Sequence, residues 1–225
     1  MSRDVILSKI RRSLGAGPAD VERRAAVSDR LTRSPRGIIP KRGQLPPAEQ
    51  VRLFAAMAEK VSTTVAHVAS PDEIPAAVAD YLRSRNLPAA IRRGDDPRLA
   101  GLPWESQPQL AVATGPSDGR DLAGLSHAFA AVAETGTLVL TSGPENPTTL
   151  NFLPEYHLVV LRAEDVEGDV ETVWERIRAR YGKGALPRTV NMITGPSRSG
   201  DIEQTILLGA HGPRSLHVIV VGAAH

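Results

Sequence analysis

Between two strand-like runs near the end of the chain, Thr194 to Val221 read TGPSRSGDIEQTILLGAHGPRSLHVIVV. Ser197, Arg198, Asp201, Glu203, His211 and Arg214 fall inside this stretch, several of them flanked by Gly or Pro. Turns need Gly and Pro, but they do not need a carboxylate pair, a His and two Arg as well. Backbone N–H groups at a strand-to-helix turn favour a carboxylate or phosphate, and Arg198 beside the Gly-Pro-Ser turn adds charge. A short helix over DIEQ would supply that turn, although Asp201 can equally be its plain N-cap, with Gln204 three residues on. His211 lies between Gly-Ala and Gly-Pro on a loop, where an imidazole can serve as acid, base or metal ligand near neutral pH.

Several familiar chemistries are excluded at this stretch. It lacks the Gly-Lys-Ser/Thr ending of a P-loop and the GxGxxG spacing of a dinucleotide fingerprint. Ser197 sits in Gly-Pro-Ser-Arg-Ser, which is not a nucleophile elbow. A Ser197, His211 and Asp201 triad can be written down, but no spacing supports its geometry. His157, His211, His217, Asp201 and Glu203 could in principle supply a metal, yet no HxH, HExxH or tight ligand spacing occurs, so no metal site is assigned.

Two further stretches carry chemistry. In AVAETGTLVL, Glu134 stands at the tip between two apolar runs, where a buried carboxylate can act as general base or covalent nucleophile. Gly136 would let a substrate come close to the backbone, and a solvated hairpin turn is the plain alternative. In GPENPTTLNFLPEYH, three prolines stiffen a segment that can aim Asn151 and Glu155 at a ligand, with His157 entering the next strand. Asn side chains capping turns, and a His satisfied within the core, are the plain alternatives there.

Elements must position these groups. A helix is expected over Ser2 to Leu14, from Ile6, Ile10 and Leu14, then an irregular arm from Gly15 to Pro47. The globular part begins with a helix over PPAEQVRLFAAMAEKV. A strand over Thr63 to Ala69 follows, then a helix capped by Ser70 and Glu73. Strands are expected at 89–92 and 110–114, a hairpin about Glu134-Thr135-Gly136, and a strand at 156–161. A helix ending at Gly182 and strands at 190–194, 205–208 and 216–221 complete the pattern. Helices alternating with short apolar strands give an α/β domain with a mixed sheet covered on both faces. The division is 1–46, a helix and basic arm, and 47–225, the α/β domain.

With no Cys among 225 residues, the chain has no thiol nucleophile, disulfide or thiolate-held iron–sulfur cluster of its own. The start lacks the apolar core of a signal peptide, and no run reaches membrane-spanning length, so a cytoplasmic location is expected. Arg and Lys crowd the first 42 residues although the net charge is only +2. Without interleaved aromatics or a nucleic-acid-binding signature, no nucleic-acid partner is expected. The arm reads as a protein–protein or intersubunit element, which a homo-oligomer could use.

AETGTLVLTSG, NFLPEYH and above all GPSRSGDIEQTILLGAHGPRSLHVIVV resemble the lactate utilisation protein C family, built on the LUD domain, from about Val51 onward. Members commonly carry Thr-Ala where Ser199-Gly200 stand here. The resemblance implies a three-layer fold like that of sugar-phosphate isomerases, CoA transferases and folate cyclo-ligases. It also implies a role in oxidising L-lactate to pyruvate with two iron–sulfur partner proteins, this chain binding no cofactor. The matching positions are Glu134, Thr135, Gly136, Asn151, Glu155, His157, Ser197, Arg198, Asp201, Glu203, His211 and Gly212. On our reading Glu134, His211 and Asp201 are the catalytic candidates, and the others, apart from His157, bind a small carboxylate in an anion-binding site. The alternative is a self-sufficient isomerase- or CoA-transferase-like enzyme acting on a phosphorylated or CoA-linked small molecule.

Overall fold

The computed structural model describes residues 2–15, 17, 20–202 and 205–222. It divides into two compact units, residues 1–39 and 40–225. The first holds α1 (Arg3–Ser13), where a helix is expected, and α2 (Val21–Arg33), where an irregular arm is expected. The local chemistry explains α2. Asp20 caps it by accepting from the Arg23 N–H, Glu22 lies in its first turn and Arg30 and Arg33 in its last. An Asp29–Arg33 ion pair spans one turn, and the prolines and glycines that suggested irregularity lie outside it. Neither helix buries a residue.

In the second unit, β1 (Thr64–Val68), β2 (Ala90–Arg93), β3 (Ala111–Thr114), β4 (Ala123–His127), β7 (Tyr156–Arg162) and β12 (Ser215–Val221) form one sheet. Its order is β1-β12-β7-β4-β2-β3, and every pairing is parallel. A smaller sheet, β8-β5-β6-β9, holds β5 (Ala130–Val132), β6 (Thr137–Thr141), β8 (Val166–Glu167) and β9 (Val190–Ile193). Its β5–β6 pair is the expected antiparallel hairpin. A two-stranded ribbon pairs β10 (Arg198–Ile202) with β11 (Thr205–Leu208). The mixed α/β architecture is thus present, with strand directions segregated: parallel in the large sheet, mixed in the small one.

Helices and the small sheet cover the large sheet because β7 and β12 are apolar on both faces, as a doubly covered strand must be. On one face Leu158, Val160 and Ile219 pack with Ile74, Val78 and Leu82 of α4 (Ile74–Ser84). On the other, Val159, Leu161, Val218 and Val220 pack with Val51, Phe54 and Ala58 of α3 (Pro47–Lys60) and with Leu138 and Leu140 of β6. Beyond the small sheet, Val173 and Ile177 of α7 (Val170–Tyr181) close a third cluster. Each such side chain taken from water contributes about 1.5–3 kcal/mol. Two short helices complete the unit, α5 (Pro97–Ala100) and α6 (Thr148–Phe152). Before α4, Ser70 meets the Glu73 carboxylate at 3.4 Å instead of a backbone N–H, so a side-chain contact replaces the expected capping box.

The central strand β4 is absent from the expected list. All five of its residues are buried, so it shows no alternation, and Gly124 in a strand interior reads as a break. That glycine is required by packing: a Cβ there would lie 2.9 Å from the Leu150 carbonyl oxygen and from Pro154. Its absence lets α6 lie directly on the sheet.

Candidate functional site

The site forms at the amino-terminal edge of the large sheet, where β7 and β12 begin. A cavity of about 300 Å³ there is lined by Asn151, His157, Ser197, Arg198, His211 and Gly212, together with neighbours including Phe152 and Met192. Six of the sequence-derived residues therefore come together, drawn from α6, β7, the turn after β9, the start of β10 and the loop before β12. Gly195 shapes that turn with a φ of +82°, and a Cβ on it would meet the Val61 carbonyl oxygen at 2.7 Å. The turn therefore rests on the end of α3.

Arg198 is held on the same support. Its Nη2 donates to the Val61 carbonyl and the Ser62 hydroxyl, both at 2.7 Å. Both acceptors are uncharged, so the guanidinium is positioned without being neutralised by them. Of the stretch DIEQ, where a helix is expected, Asp201 and Ile202 belong to strand β10. Among the described residues no helix begins there. The Ser197 N–H is also committed, donating to the Pro213 carbonyl at 2.8 Å. Arg198 is thus the cationic side chain among the residues lining this cavity. The side chain of Asp201 and the whole of Glu203 lie outside the described residues.

Behind the cavity runs a buried chain of uncharged polar groups. Ser126 donates to Asn151 Oδ1 at 3.0 Å, and His157 Nε2 lies 3.0 Å from the same hydroxyl. A hydroxyl that has spent its proton on Asn151 accepts from His157, so the network places the ring proton on Nε2. Burial pushes the His157 pKa down to about 3. The ring is therefore neutral and cannot be a base near neutrality. His157 Nδ1 and Asn151 Nδ2 are buried without a hydrogen-bond partner. His211, by contrast, is exposed on its loop at the mouth of the cavity.

Glu134, Thr135, Gly136 and Glu155 do not line the cavity. Glu134 is 4% exposed, with Arg42 Nε 3.6 Å from Oε2, which accepts no hydrogen bond. Gly136 takes a φ of +67° and packs on α3, where a Cβ would meet the Ala58 nitrogen at 2.5 Å. Its close approach is to protein backbone. Thr135 is linked to the cavity wall: its hydroxyl meets that of Thr137, which meets that of Thr194, each at 2.7 Å. Glu155 sits 3.5 Å from Arg214, both exposed. Among the described residues no group of three or more His, Cys, Asp or Glu is placed to hold a metal. Among them, too, no helix is long and apolar enough to cross a membrane.

Ser126, Arg42 and Thr194 were missed by sequence reasoning. A signal existed for the first: Ser126-His127 is a polar pair in an otherwise apolar run, and buried polar groups need partners.

The fold defines a known class. A crystal structure of a DUF162 family protein from Deinococcus radiodurans superposes with a TM-score of 0.59, covering 79% of this chain and 99% of that one at 26% identity. Residues 51–221 match the LUD domain, and the chain belongs to the LUD domain family. Lactate utilization protein C of Geobacillus kaustophilus is 32% identical over 173 residues, covering 63% of this chain and 72% of that protein. An uncharacterized protein of Neisseria meningitidis is 35% identical over 103 residues, covering 46% of this chain. The chain spans only 43% of that relative's length.

Proposed function

We propose that the protein serves lactate utilisation as a subunit without a cluster of its own, and that the amino-edge cavity takes the small carboxylate. The observation that carries this reading is the convergence of Arg198, Ser197 and His211 on one cavity backed by neutral polar groups. Arg198 supplies the charge for the carboxylate. His211 accepts the proton that the substrate's hydroxyl releases as it is oxidised, the general-base role of an imidazole within reach of its substrate. His157 and Asn151 form a fixed polar back wall. The names carried by relatives support the pathway, and the absence of Cys supports placing iron–sulfur clusters in partner proteins that accept the electrons.

The test is growth on L-lactate of a strain lacking the gene and complemented with variants. His211→Ala is expected to abolish growth and Arg198→Ala to reduce it at least tenfold, with unchanged circular dichroism. Normal growth of both would remove the cavity from the mechanism. Anaerobic purification from lactate-grown cells should recover two iron-containing partners, and a colourless lone chain would remove the assembly.

One observation favours a second reading. Glu134 is buried with an oxygen that accepts no hydrogen bond, as a nucleophile of a self-sufficient CoA-transferase-like enzyme would be. Tight binding of CoA, lost in Glu134→Gln, would favour it over the first.

A further inference from the structure

The opposite edge of the large sheet carries a larger space, about 790 Å³, that neither reading uses. It opens where chain direction diverges. The chain leaving β2 passes through α5 to β3 on one side, and the chain leaving β4 leads through the small sheet to β7 on the other. In open parallel sheets, ligands settle beyond the carboxyl ends of strands at such a divergence. The walls are built rather than loose. A Cβ on Gly94 would lie 2.0 Å from the Glu145 carbonyl oxygen, and the Asp95 N–H donates to the Pro144 carbonyl at 3.1 Å.

Two side chains there have a fixed polarity and an unused acceptor. His127, 6% exposed, has Nδ1 2.8 Å from the Ala128 carbonyl. A carbonyl only accepts, so Nδ1 carries the proton and the neutral ring leaves Nε2 as a bare acceptor. Burial first, and Arg98 second, lower this pKa, against the Ala128 hydrogen bond and the pull of Asp96 and Asp165. Asn146, 5% exposed, donates Nδ2 to the Thr141 carbonyl at 3.3 Å, which fixes Oδ1 as its acceptor, buried and unpartnered.

The charges are sorted too. Arg98 is bound to buried Asp96, and Arg176 to Asp165. Asp95 and Glu145 stand exposed at the rim and add acceptors, while Arg180 on α7 has no ion-pair partner among the described residues. Arg162, which also lines the space, pairs with exposed Glu164, so among the described residues Arg180 is the lining cation without an ion-pair partner. A ligand that fits must bring several hydrogen-bond donors and one negative group.

We propose that this carboxyl-edge crevice is a second binding site, for a polyhydroxylated ligand carrying one anionic group. Hydroxyls donate to His127 Nε2, Asn146 Oδ1 and the rim carboxylates, and the anionic group lies against Arg180. The space is far larger than a three-carbon acid fills, which separates this ligand from the occupant of the amino-edge cavity.

The experiment is calorimetric titration of the full chain with four probes: gluconate, glucose 6-phosphate, hexanoate and inorganic phosphate. The first two should bind, at least tenfold more tightly than their unhydroxylated counterparts, and their ratio tells a carboxylate from a phosphate group. Arg180→Ala, an exposed change that leaves the fold intact, should weaken binding about tenfold. On nitrogen-detected NMR, the His127 Nε2 resonance should shift at saturation while Nδ1 stays protonated. Equal binding of hexanoate or phosphate, no binding of any probe, or an unmoved His127 would each overturn the proposal.

Discussion

The two edges of the large sheet are finished in opposite ways. At the amino edge, His157, Ser126 and Asn151 form a buried, uncharged chain in which each hydrogen bond fixes the next. At the carboxyl edge, Asp96–Arg98 and Asp165–Arg176–Glu167 interlace charges that water partly reaches. The difference teaches where polarity is costly. A buried neutral network loses the full desolvation penalty of any group left without a partner, while an ion pair with one arm in water, such as Arg98 on buried Asp96, is partly screened by salt. The amino edge should therefore be brittle and insensitive to salt, and the carboxyl edge sensitive to it.

The sharpest way to break that contrast is steric. Gly195→Ala sets a Cβ against the Val61 carbonyl in a left-handed backbone conformation, and is expected to destabilise by about 3 kcal/mol, read by urea unfolding. Ser126→Ala comes next. It removes the hydroxyl between His157 and Asn151 and should cost about 2 kcal/mol, unchanged between low salt and 1 M NaCl. A cost that shrank with salt would erase the distinction between the edges.

Acid sharpens it further. The folded-state pKa of His157 lies at about 3, below the ordinary His value near 6.5. The unfolded chain therefore takes up a proton first, and stability should fall as pH drops from about 6.5 towards 3. Replacing His157 by Gln should flatten that limb, and an equally steep limb would show that other groups carry it. The smallest effect is expected for Arg214→Ala. Its exposed pair with Glu155 spans 3.5 Å, so the change in melting stability should stay within about 0.5 kcal/mol.

Much of this was legible in the sequence, for reasons that differ by region. The amphipathic periods of α3, α4 and α7 and the apolar runs of β7 and β12 record which faces are covered. The residues converging at the amino edge stood out because Gly and Pro bracket them. What stayed illegible depends on distant contacts. Gly124 reads as a strand breaker until α6 is seen lying on it. DIEQ reads as a capped helix, yet Arg198–Ile202 pairs with Thr205–Leu208 as a ribbon. Glu134 reads either as a buried reactive carboxylate or as a solvated turn, and its burial beside Arg42 depends on a residue almost a hundred positions earlier. His127 carries no local signal, because its place beside the divergence of strand order is something no local window records.

The strand order also sets a timetable for synthesis. β1 has β12 as its neighbour in the sheet, and Thr64 contacts His217 across 153 positions. β7 likewise waits for β12 on one side. While the ribosome is still making the intervening chain, both strands present open hydrogen-bonding edges flanked by apolar side chains, the condition that favours mispairing between nascent molecules. The sheet closes only when Ser215–Val221 emerge and slot between them. Ribosome-bound intermediates stalled before residue 215 should therefore engage chaperones far longer than chains in which Ser215–Val221 have emerged, and the protein's yield in a cell will depend on how quickly that strand arrives.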